Sequence, residues 1–276
     1  MEIRYEDLIG TYEQKRAVVA KFNLMDDIFF SVVMEHNDAA EYLLSKLLGK
    51  NIKVIENKTQ YSIRNAETHS IVLDALIQDD SGKLYNVEIQ VGDKENHERR
   101  IRYYHTAIDW SVLKKGKDYS ELADLYMLFI SDFDPFEKNK VHYEVAHYIK
   151  DTDLDYDNGI HIHYFNTAVN DGTFLSELMQ YLKNSDPNNN KFGALSQQVN
   201  NHKVKSEGVD SMCKIVEEFA EKYSKPREEQ ALLKGKIEGK IEMVNDLLKE
   251  KIPLETALKC AKMDRETYEK YAEQLQ

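Results

Sequence analysis

The sequence predicts an α/β protein in which helices flank a mixed β-sheet. Residues 124–131 (DLYMLFIS) form a nearly continuous apolar run, as expected of a strand that is covered on both faces. Upstream, residues 70–91 contain two apolar-rich runs around a turn that includes Gly82, which indicates a β-hairpin. The order helix, strands with a hairpin, helix, strand favours an α/β sandwich.

The other elements of the N-terminal two thirds follow from local patterns. We expect a partly helical arm over residues 1–21. A helix should run from Ala39 to Leu48, with Asn37 and Asp38 as its N-cap and Gly49 at its end. Lys114–Lys117 should close a later helix, because cations suit a helix C-terminus. Further elements are predicted at residues 52–64 (one or two strands), 93–113 (helix), 141–149 and 160–165 (edge strands).

From about Gly172 onward the pattern becomes helical. Helices are predicted at residues 174–183, 208–223, 227–250, 253–262 and 264–274, and a polar loop at 185–193. The amphipathic stripe of the 227–250 helix should pair with another copy of the chain or fold back on the core. A small helix-turn-helix at the end is the alternative, but three glutamates on the last helix oppose phosphate binding. We therefore divide the chain into residues 1–170 and a helical region, 171–276.

Composition restricts the class of protein. A hydrophobic content of 42% supports a globular core, and no run is apolar for long enough to span a bilayer. The first residues are polar and unlike a secretory signal, and Cys213 and Cys260 are predicted to be reduced, buried thiols of a cytoplasmic protein. A net charge of −12 weighs against a protein that coats nucleic acid, but allows an enzyme that binds phosphates locally.

The hairpin holds the best chemical signal in the sequence. If the turn is symmetric about Ser81, Asp74 and Glu88 face each other across the two strands, with Gln90 two residues further along the same face. Two adjacent carboxylates repel each other and are costly to bury, so a divalent cation such as Mg²⁺ is the expected compensation. The alternative is two solvated carboxylates on the open face of an exposed hairpin.

An acidic residue in one strand, Glu-x-Gln in the next, and then a helix resemble the PD-(D/E)xK nuclease superfamily. More specifically, the chain resembles the PD-(D/E)xK family transposases, also called recombination-promoting nucleases. The segments that carry this resemblance are LDALIQDDSGKLYNVEIQV, RRIRYYHTAIDWSVLKKGKDYSELADLYMLFISDFDPF, NGIHIHYFN and the helix around KGKIEGK. The resemblance implies a restriction-endonuclease-like core.

The resemblance also implies roles for residues in the hairpin. Asp74 matches the first acidic residue of the motif, although Leu73 stands where the eponymous proline would be. Glu88 matches the (D/E) position, and Gln90 takes the lysine position without bringing its charge. Asp74 and Glu88 are thus expected to hold the metal and Gln90 to orient a water. Such nucleases often add an acidic ligand from the first helix, for which Glu41 is the candidate and Asp38 the alternative.

The helix after the hairpin contains candidate phosphate-binding residues. Arg99, Arg102, Tyr103, Thr106 and Trp110 recur at helical spacing, with Arg100 beside them. Arg99, Arg100, Arg102 and Tyr103 are therefore candidate DNA-binding residues. The alternative is a salt-bridged helix whose arginines meet the chain's many carboxylates.

Two histidines, His161 and His163, lie on one face of a predicted strand, and such a pair can bind zinc. No further ligands suggest themselves in the sequence, so ordinary sheet surface is the favoured interpretation.

Together these features predict a cytoplasmic, Mg²⁺-dependent DNA endonuclease in which Mn²⁺ can substitute. It would hydrolyse phosphodiester bonds, in recombination or transposition as the resemblance implies, with DNA as partner and no membrane or organic cofactor. The helical region would serve packing, oligomerisation or accessory DNA contact. The alternatives are a degenerate member that binds nucleic acid without cutting it, and a protein-interaction module.

Overall fold

The structure is a computed structural model that describes residues 10–63, 70–152, 154–219 and 225–272. The chain divides into two compact units. One comprises residues 16–213, and the other comprises residues 1–15 together with 214–276. The predicted domain boundary near residue 170 stays a prediction, and the two units are described separately.

The helices and strands up to residue 219 follow one another in this order: α1 Tyr12–Lys21, α2 Asp27–Met34, α3 Asn37–Leu48, β1 Val54–Ile63, β2 Ile71–Asp79, β3 Leu84–Gln90, α4 His97–Val112, a 3₁₀ turn Tyr119–Glu121, β4 Leu125–Ser131, β5 His142–Val145, β6 Ile160–Asn166, α5 Phe174–Asn184, α6 Gly193–Lys203 and α7 Ser206–Phe219.

The six strands form a single mixed sheet in the order β1-β2-β3-β4-β6-β5. β1, β2 and β3 are antiparallel neighbours, β3, β4 and β6 are parallel, and β5 joins β6 antiparallel at the edge. All seven residues of β4 are buried, because this central strand is covered on both faces. The predicted mixed sheet flanked by helices is therefore confirmed.

Helix α4 covers the sheet face that carries the polar residues of the hairpin. Ile101 and Ile108 of this helix pack with Leu76, Met127 and Phe129 of the sheet. The opposite face includes the ring of Tyr126, over which the ammonium group of Lys50 lies at 3.8 Å, directly after α3.

The turn of the hairpin is held by one carboxylate. Asp79 accepts hydrogen bonds from the backbone N–H and the hydroxyl of Ser81, from the N–H of Lys83 and from the hydroxyl of Tyr85, at 2.7–2.9 Å. Gly82 follows with a φ of 86°, which glycine adopts without strain. The pairs Ala75–Val87, Leu76–Asn86, Ile77–Tyr85 and Gln78–Leu84 confirm the predicted register about Ser81.

Several boundaries differ from the predictions. The predicted N-cap at Asn37 and Asp38 is wrong, because α3 begins at Asn37 and His36 takes the cap position, whereas Gly49 ends the helix as expected with a φ of 65°. Helix α4 begins at His97 rather than Asp93, since Asn96 has a left-handed φ of 57°. The single strand β1 replaces the one or two strands expected, and β5 is shorter than predicted.

Helix α6 was absent from the prediction. Its sequence, GALSQQVNNHK, is rich in Asn and Gln and lacks a clear apolar stripe. It forms because Leu195 and Val199 are buried in the tertiary structure and the helix packs on α3, so packing overrides weak local propensity.

In the other unit, α8 (Lys225–Lys249), α9 (Leu254–Ala261) and α10 (Arg265–Ala272) confirm the three predicted C-terminal helices. Ile241 and Val244 of α8 are buried against Ala257 and Leu258 of α9, so this part of the amphipathic stripe packs on the following helix. The side chains of Leu232 and Leu233, also in the predicted stripe, lie outside the described part of the chain.

The two cysteines differ in their surroundings. Cys213 is buried as predicted, but the prediction of a buried Cys260 is wrong, because this thiol is exposed on α9. Within the described residues, no helix is both long enough and apolar enough to cross a membrane.

Candidate active site

Asp74 and Glu88 lie inside the sheet, on neighbouring strands of the hairpin. The paired residues of β2 and β3 end at Ala75–Val87, and the next residues on the two strands are Asp74 and Glu88. The negative charge of Asp74 acts on Glu88, so the two carboxylates lie near each other. Both side chains are more than nine-tenths buried. A carboxylate oxygen of Asp74 accepts a hydrogen bond of 2.8 Å from the backbone N–H of Ile89. The alternative of two solvated carboxylates on an open face is excluded by this burial.

Burial and electrostatic interaction raise the pKa of both carboxyl groups. Burial raises the pKa of Asp74 to about 7, and the negative charge of Asp27 contributes in the same direction. Burial also raises the pKa of Glu88 well above its ordinary value, with the charge of Asp74 as the next cause. Arg100 opposes both shifts. In the absence of a cation, ionisation of both carboxyl groups therefore costs free energy, and a nearby positive charge would reduce this cost.

Asn86 is a member of the site that the sequence interpretation did not single out. It lies on β3 two residues before Glu88, on the same face, and its side chain is fully buried. Both polar atoms of its amide and one carboxylate oxygen of Glu88 are buried and make no hydrogen bond of normal geometry, although the amide lies close enough to Glu88 to lower its pKa. Such atoms are costly in a folded protein unless a water or ion satisfies them. The period-two alternation of β3 was the signal that could have identified it.

Gln90 is held by Arg100, which comes from the first turn of α4. The guanidinium donates one hydrogen bond to the side-chain oxygen of Gln90 and another, of 2.8 Å, to Asp93. Arg100 lowers the pKa of both Asp74 and Glu88, so its charge lies near the carboxylates. Gln90 brings no positive charge, whereas Arg100 of the neighbouring helix places one near the two carboxylates.

Tyr104 lies one helical turn after Arg100 and faces the same pair of carboxylates. Burial, followed by the negative charge of Glu88, raises the pKa of this tyrosine to about 12. Its hydroxyl therefore stays protonated and can donate a hydrogen bond at neutral pH.

A strained residue borders Asp74 on the other side. Gln60 of β1 lies between the pairs Thr59–Ala75 and Tyr61–Leu73 and so faces Asp74. Its φ of 47° is in the left-handed region, which costs a non-glycine residue free energy. A hydrogen bond from its side chain lowers the pKa of Asp74.

The structure brings Asp27, rather than Glu41, into electrostatic contact with the pair. Asp27 is the first residue of α2; although part of its side chain reaches solvent, the surrounding protein desolvates the carboxyl and raises its pKa. The carboxylate of Glu41 instead accepts a hydrogen bond of 2.9 Å from the N–H of Val54. Val54 pairs with Asp79, five residues along β2 from Asp74, or about 17 Å. The sequence alternative, Asp38, accepts from Ala39 and Gln198.

The other candidate DNA-binding residues lie on a different surface of α4. Arg99, Arg102 and Tyr103 are exposed, and helical geometry directs them away from the buried Ile101 and Ile108. The structure therefore separates Arg100, at the carboxylates, from these three residues, which face outward.

The histidines of β5 and β6 form an aromatic layer. The rings of His142 and His163 share a hydrogen bond of 3.1 Å, and His161 stacks on Tyr126 with ring centroids 4.3 Å apart. Burial lowers the pKa of His163 to about 4. These contacts support the sheet-surface interpretation.

The residues of the site fit a hard divalent cation. Two facing carboxylates, one of which has a buried oxygen without a partner, are oxygen donors of the kind that Mg²⁺ prefers. Within the described ranges, no group of three or more His, Cys, Asp or Glu side chains is arranged to hold a metal. The protein therefore offers two carboxylates, and the remaining positions would go to water or substrate, as is usual for Mg²⁺.

Comparison with known proteins identifies the family. The sequence model of the PD-(D/E)XK nuclease family transposase matches residues 28–171, which contain the whole hairpin and all of α4. No curated protein and no solved structure matches the chain. The match confirms a restriction-endonuclease-like fold and a function of the nuclease or transposase type. The chain belongs to the PD-(D/E)XK nuclease family transposases.

Proposed function

We propose that this protein is a cytoplasmic, Mg²⁺-dependent DNA endonuclease that hydrolyses phosphodiester bonds, and that Mn²⁺ can replace Mg²⁺. The observation that carries the proposal is the buried, facing pair Asp74 and Glu88, whose ionisation is unfavourable without a nearby cation. A structural role explains such a pair poorly, because two buried carboxylates that repel each other destabilise the fold.

In this proposal Asp74 and Glu88 bind the metal ion, and Asn86 holds a water beside Glu88 through its unpartnered amide. The bound cation would lower the pKa of a water and offset the charge that develops on the phosphate. Asp27 is not a third ligand in this proposal, and its negative charge acts on Asp74 from outside the pair.

Arg100 is the proposed replacement for the lysine of the motif. Its guanidinium is fixed by Gln90 and Asp93, and so stands ready to bind an oxygen of the scissile phosphate. Gln90 thus acts mainly by positioning Arg100, rather than by orienting water directly. The hydroxyl of Tyr104 is a second donor on the same side of the site.

The family suggests a biological setting in recombination or transposition, with DNA as the partner. We propose that the helical region, residues 171–276, contributes to packing, to self-association or to accessory contacts with DNA.

A plasmid-nicking assay with Mg²⁺ or Mn²⁺ tests the proposal. The natural chain should convert supercoiled plasmid to the nicked form, and Asp74→Asn and Glu88→Gln should each slow this conversion at least about 100-fold, because each removes a charged ligand. Asp80→Asn, in the exposed turn of the same hairpin, is the matched control and should cut at the natural rate. If Asp74→Asn and Glu88→Gln cut as well as the control, the site is misplaced.

The absence of a lysine at position 90 favours a second candidate, a member that binds DNA without cutting it. This candidate is supported if the chain retards DNA in a gel, Asp74→Asn leaves that binding intact, and neither metal produces nicks.

A further inference from the structure

The outer surface of α4 carries a cationic and aromatic stripe that the proposed chemistry does not use. Its members are Arg99, Arg102, Tyr103, Thr106 and Trp110, and all five are exposed. At 3.6 residues per turn they fall on one side of the helix, opposite the buried Ile101 and Ile108. The stripe begins beside Arg100 and continues to Trp110, near the end of α4.

At its far end the stripe meets an apolar groove. It is lined by Trp110 of α4 and, from the segment that follows, by Leu113, Lys115, Tyr119 and Leu122. The groove has a volume of about 550 Å³. The side chain of Trp110 is 65% exposed and that of Tyr119 is 82% exposed. Two aromatic rings that flank an apolar groove and remain in water mark a surface for a flat, apolar ligand.

The charges around the groove favour an anionic ligand. Arg99 and Arg102 precede it on the helix, and Lys115 lines it. Asp109 also lines the groove, and its carboxylate lies 3.0 Å from the imidazole of His105, which offsets its charge only in the protonated form. In a symmetric dimer through this surface, the same cations of two copies would approach one another. Phosphates of a nucleic acid would instead meet them favourably.

We propose that the groove between Trp110 and Tyr119 binds an unpaired nucleobase of the DNA strand that leaves the active site. Aromatic side chains next to cations are the usual means of binding single-stranded nucleic acid, in which the base stacks and the cations hold the backbone. Trp110 lies ten residues after Arg100, or about 15 Å along the helix, which is about four nucleotide steps at the duplex rise of about 3.4 Å and fewer in an extended single strand. The inference rests on the proposed nuclease function and adds a preference for substrates with an unpaired strand near the cut.

The chain has a single tryptophan, so its fluorescence reports on this groove. The natural chain, kept in EDTA to prevent cutting, is titrated with oligothymidylate of about twelve nucleotides, a length within the usual site size. An abasic oligonucleotide of equal length and a blunt duplex are titrated in parallel. Oligothymidylate should quench the tryptophan fluorescence, whereas the abasic strand, which has the phosphates but no bases, should leave it nearly unchanged.

A matched pair of variants identifies the groove. Tyr119→Ala should weaken the quenching titration about tenfold, since stacking of one base is worth about 1–3 kcal/mol. Tyr148→Ala removes another exposed tyrosine, 70% exposed in the loop after β5, and should leave the titration unchanged. A fork-ended duplex should compete with oligothymidylate better than a blunt duplex does.

Three results would overturn the inference: no quenching by oligothymidylate, equal quenching by the abasic strand, or equal effects of Tyr119→Ala and Tyr148→Ala. Self-association that Trp110→Ala abolishes would instead identify the stripe as an interface between copies. If the chain nicks plasmid with metal but shows no base-dependent quenching, base binding by the groove is refuted and the nuclease proposal stands. Base-dependent quenching without nicking refutes the nuclease proposal and leaves base binding by this surface supported.

Discussion

Asp74→Asn should stabilise the metal-free protein, and the gain should depend on pH. Burial raises the pKa of Asp74 from 3.8 to about 7 in the folded chain. Below about pH 4 the carboxyl is protonated in both the folded and the unfolded states, so it has no effect on stability. Between about pH 4 and 7 the unfolded chain loses this proton while the folded chain keeps it, so the free energy of unfolding falls as pH rises. Above about pH 7 the loss is complete.

The magnitude follows from the size of the shift. A difference of about 3 pKa units, at about 1.4 kcal/mol each, corresponds to a cost of about 4 kcal/mol at pH 8. Asparagine keeps an oxygen that can accept the hydrogen bond from the N–H of Ile89, but it cannot ionise. Removing this charge also eases the ionisation of Glu88, which adds to the gain.

Urea denaturation in EDTA at several values between about pH 5 and pH 8 measures the effect. The free energy of unfolding of Asp74→Asn should exceed that of the natural chain by an amount that grows with pH, and Asp80→Asn should show no such trend. Added Mg²⁺ should stabilise the natural chain much more than Asp74→Asn, because only the natural chain keeps both acidic ligands. If the free energies of unfolding of Asp74→Asn and the natural chain change equally with pH, the raised pKa of Asp74 is refuted.

Two further predictions concern residues of β2 and β3. Asn86→Leu should raise the free energy of unfolding of the metal-free chain by about 1–3 kcal/mol, since it removes two buried polar atoms without partners, and should slow nicking. Denaturation and the plasmid assay test this, and a natural nicking rate would exclude Asn86 from the site. Asp79→Ala should lower the free energy of unfolding by about 3 kcal/mol at neutral pH, because the turn loses its hydrogen-bond acceptor. Burial alone would raise the pKa of Asp79, but the hydrogen bonds from Ser81, Tyr85 and Lys83 lower it below 3.8, so this stabilisation is lost as pH falls through that lower value. Denaturation at about pH 7 and pH 3 should therefore show a gap that narrows in acid; a constant gap would contradict the prediction.

Much of the sheet could be predicted because its signals are local. The hairpin register follows from a symmetric turn and period-two alternation within twenty residues, and the pairs from Ala75–Val87 to Gln78–Leu84 confirm it. The buried run of β4 was equally clear. Helix α6 was missed because its burial against α3 comes from a segment about 150 residues earlier in the chain, which no local pattern reveals.

The candidate site shows the same division. By itself, the sequence determined the hairpin, whose register depends on residues close together in the chain, and the family, whose match extends over residues 28–171. Only the tertiary structure decided that Arg100 joins Gln90, that Asp27 rather than Glu41 acts on Asp74, and that α4 has an inner and an outer cationic surface. The physical reason is that charge interactions and hydrogen bonds depend on distance in space. The direction in which a helical carboxylate or guanidinium points is set by packing between distant segments.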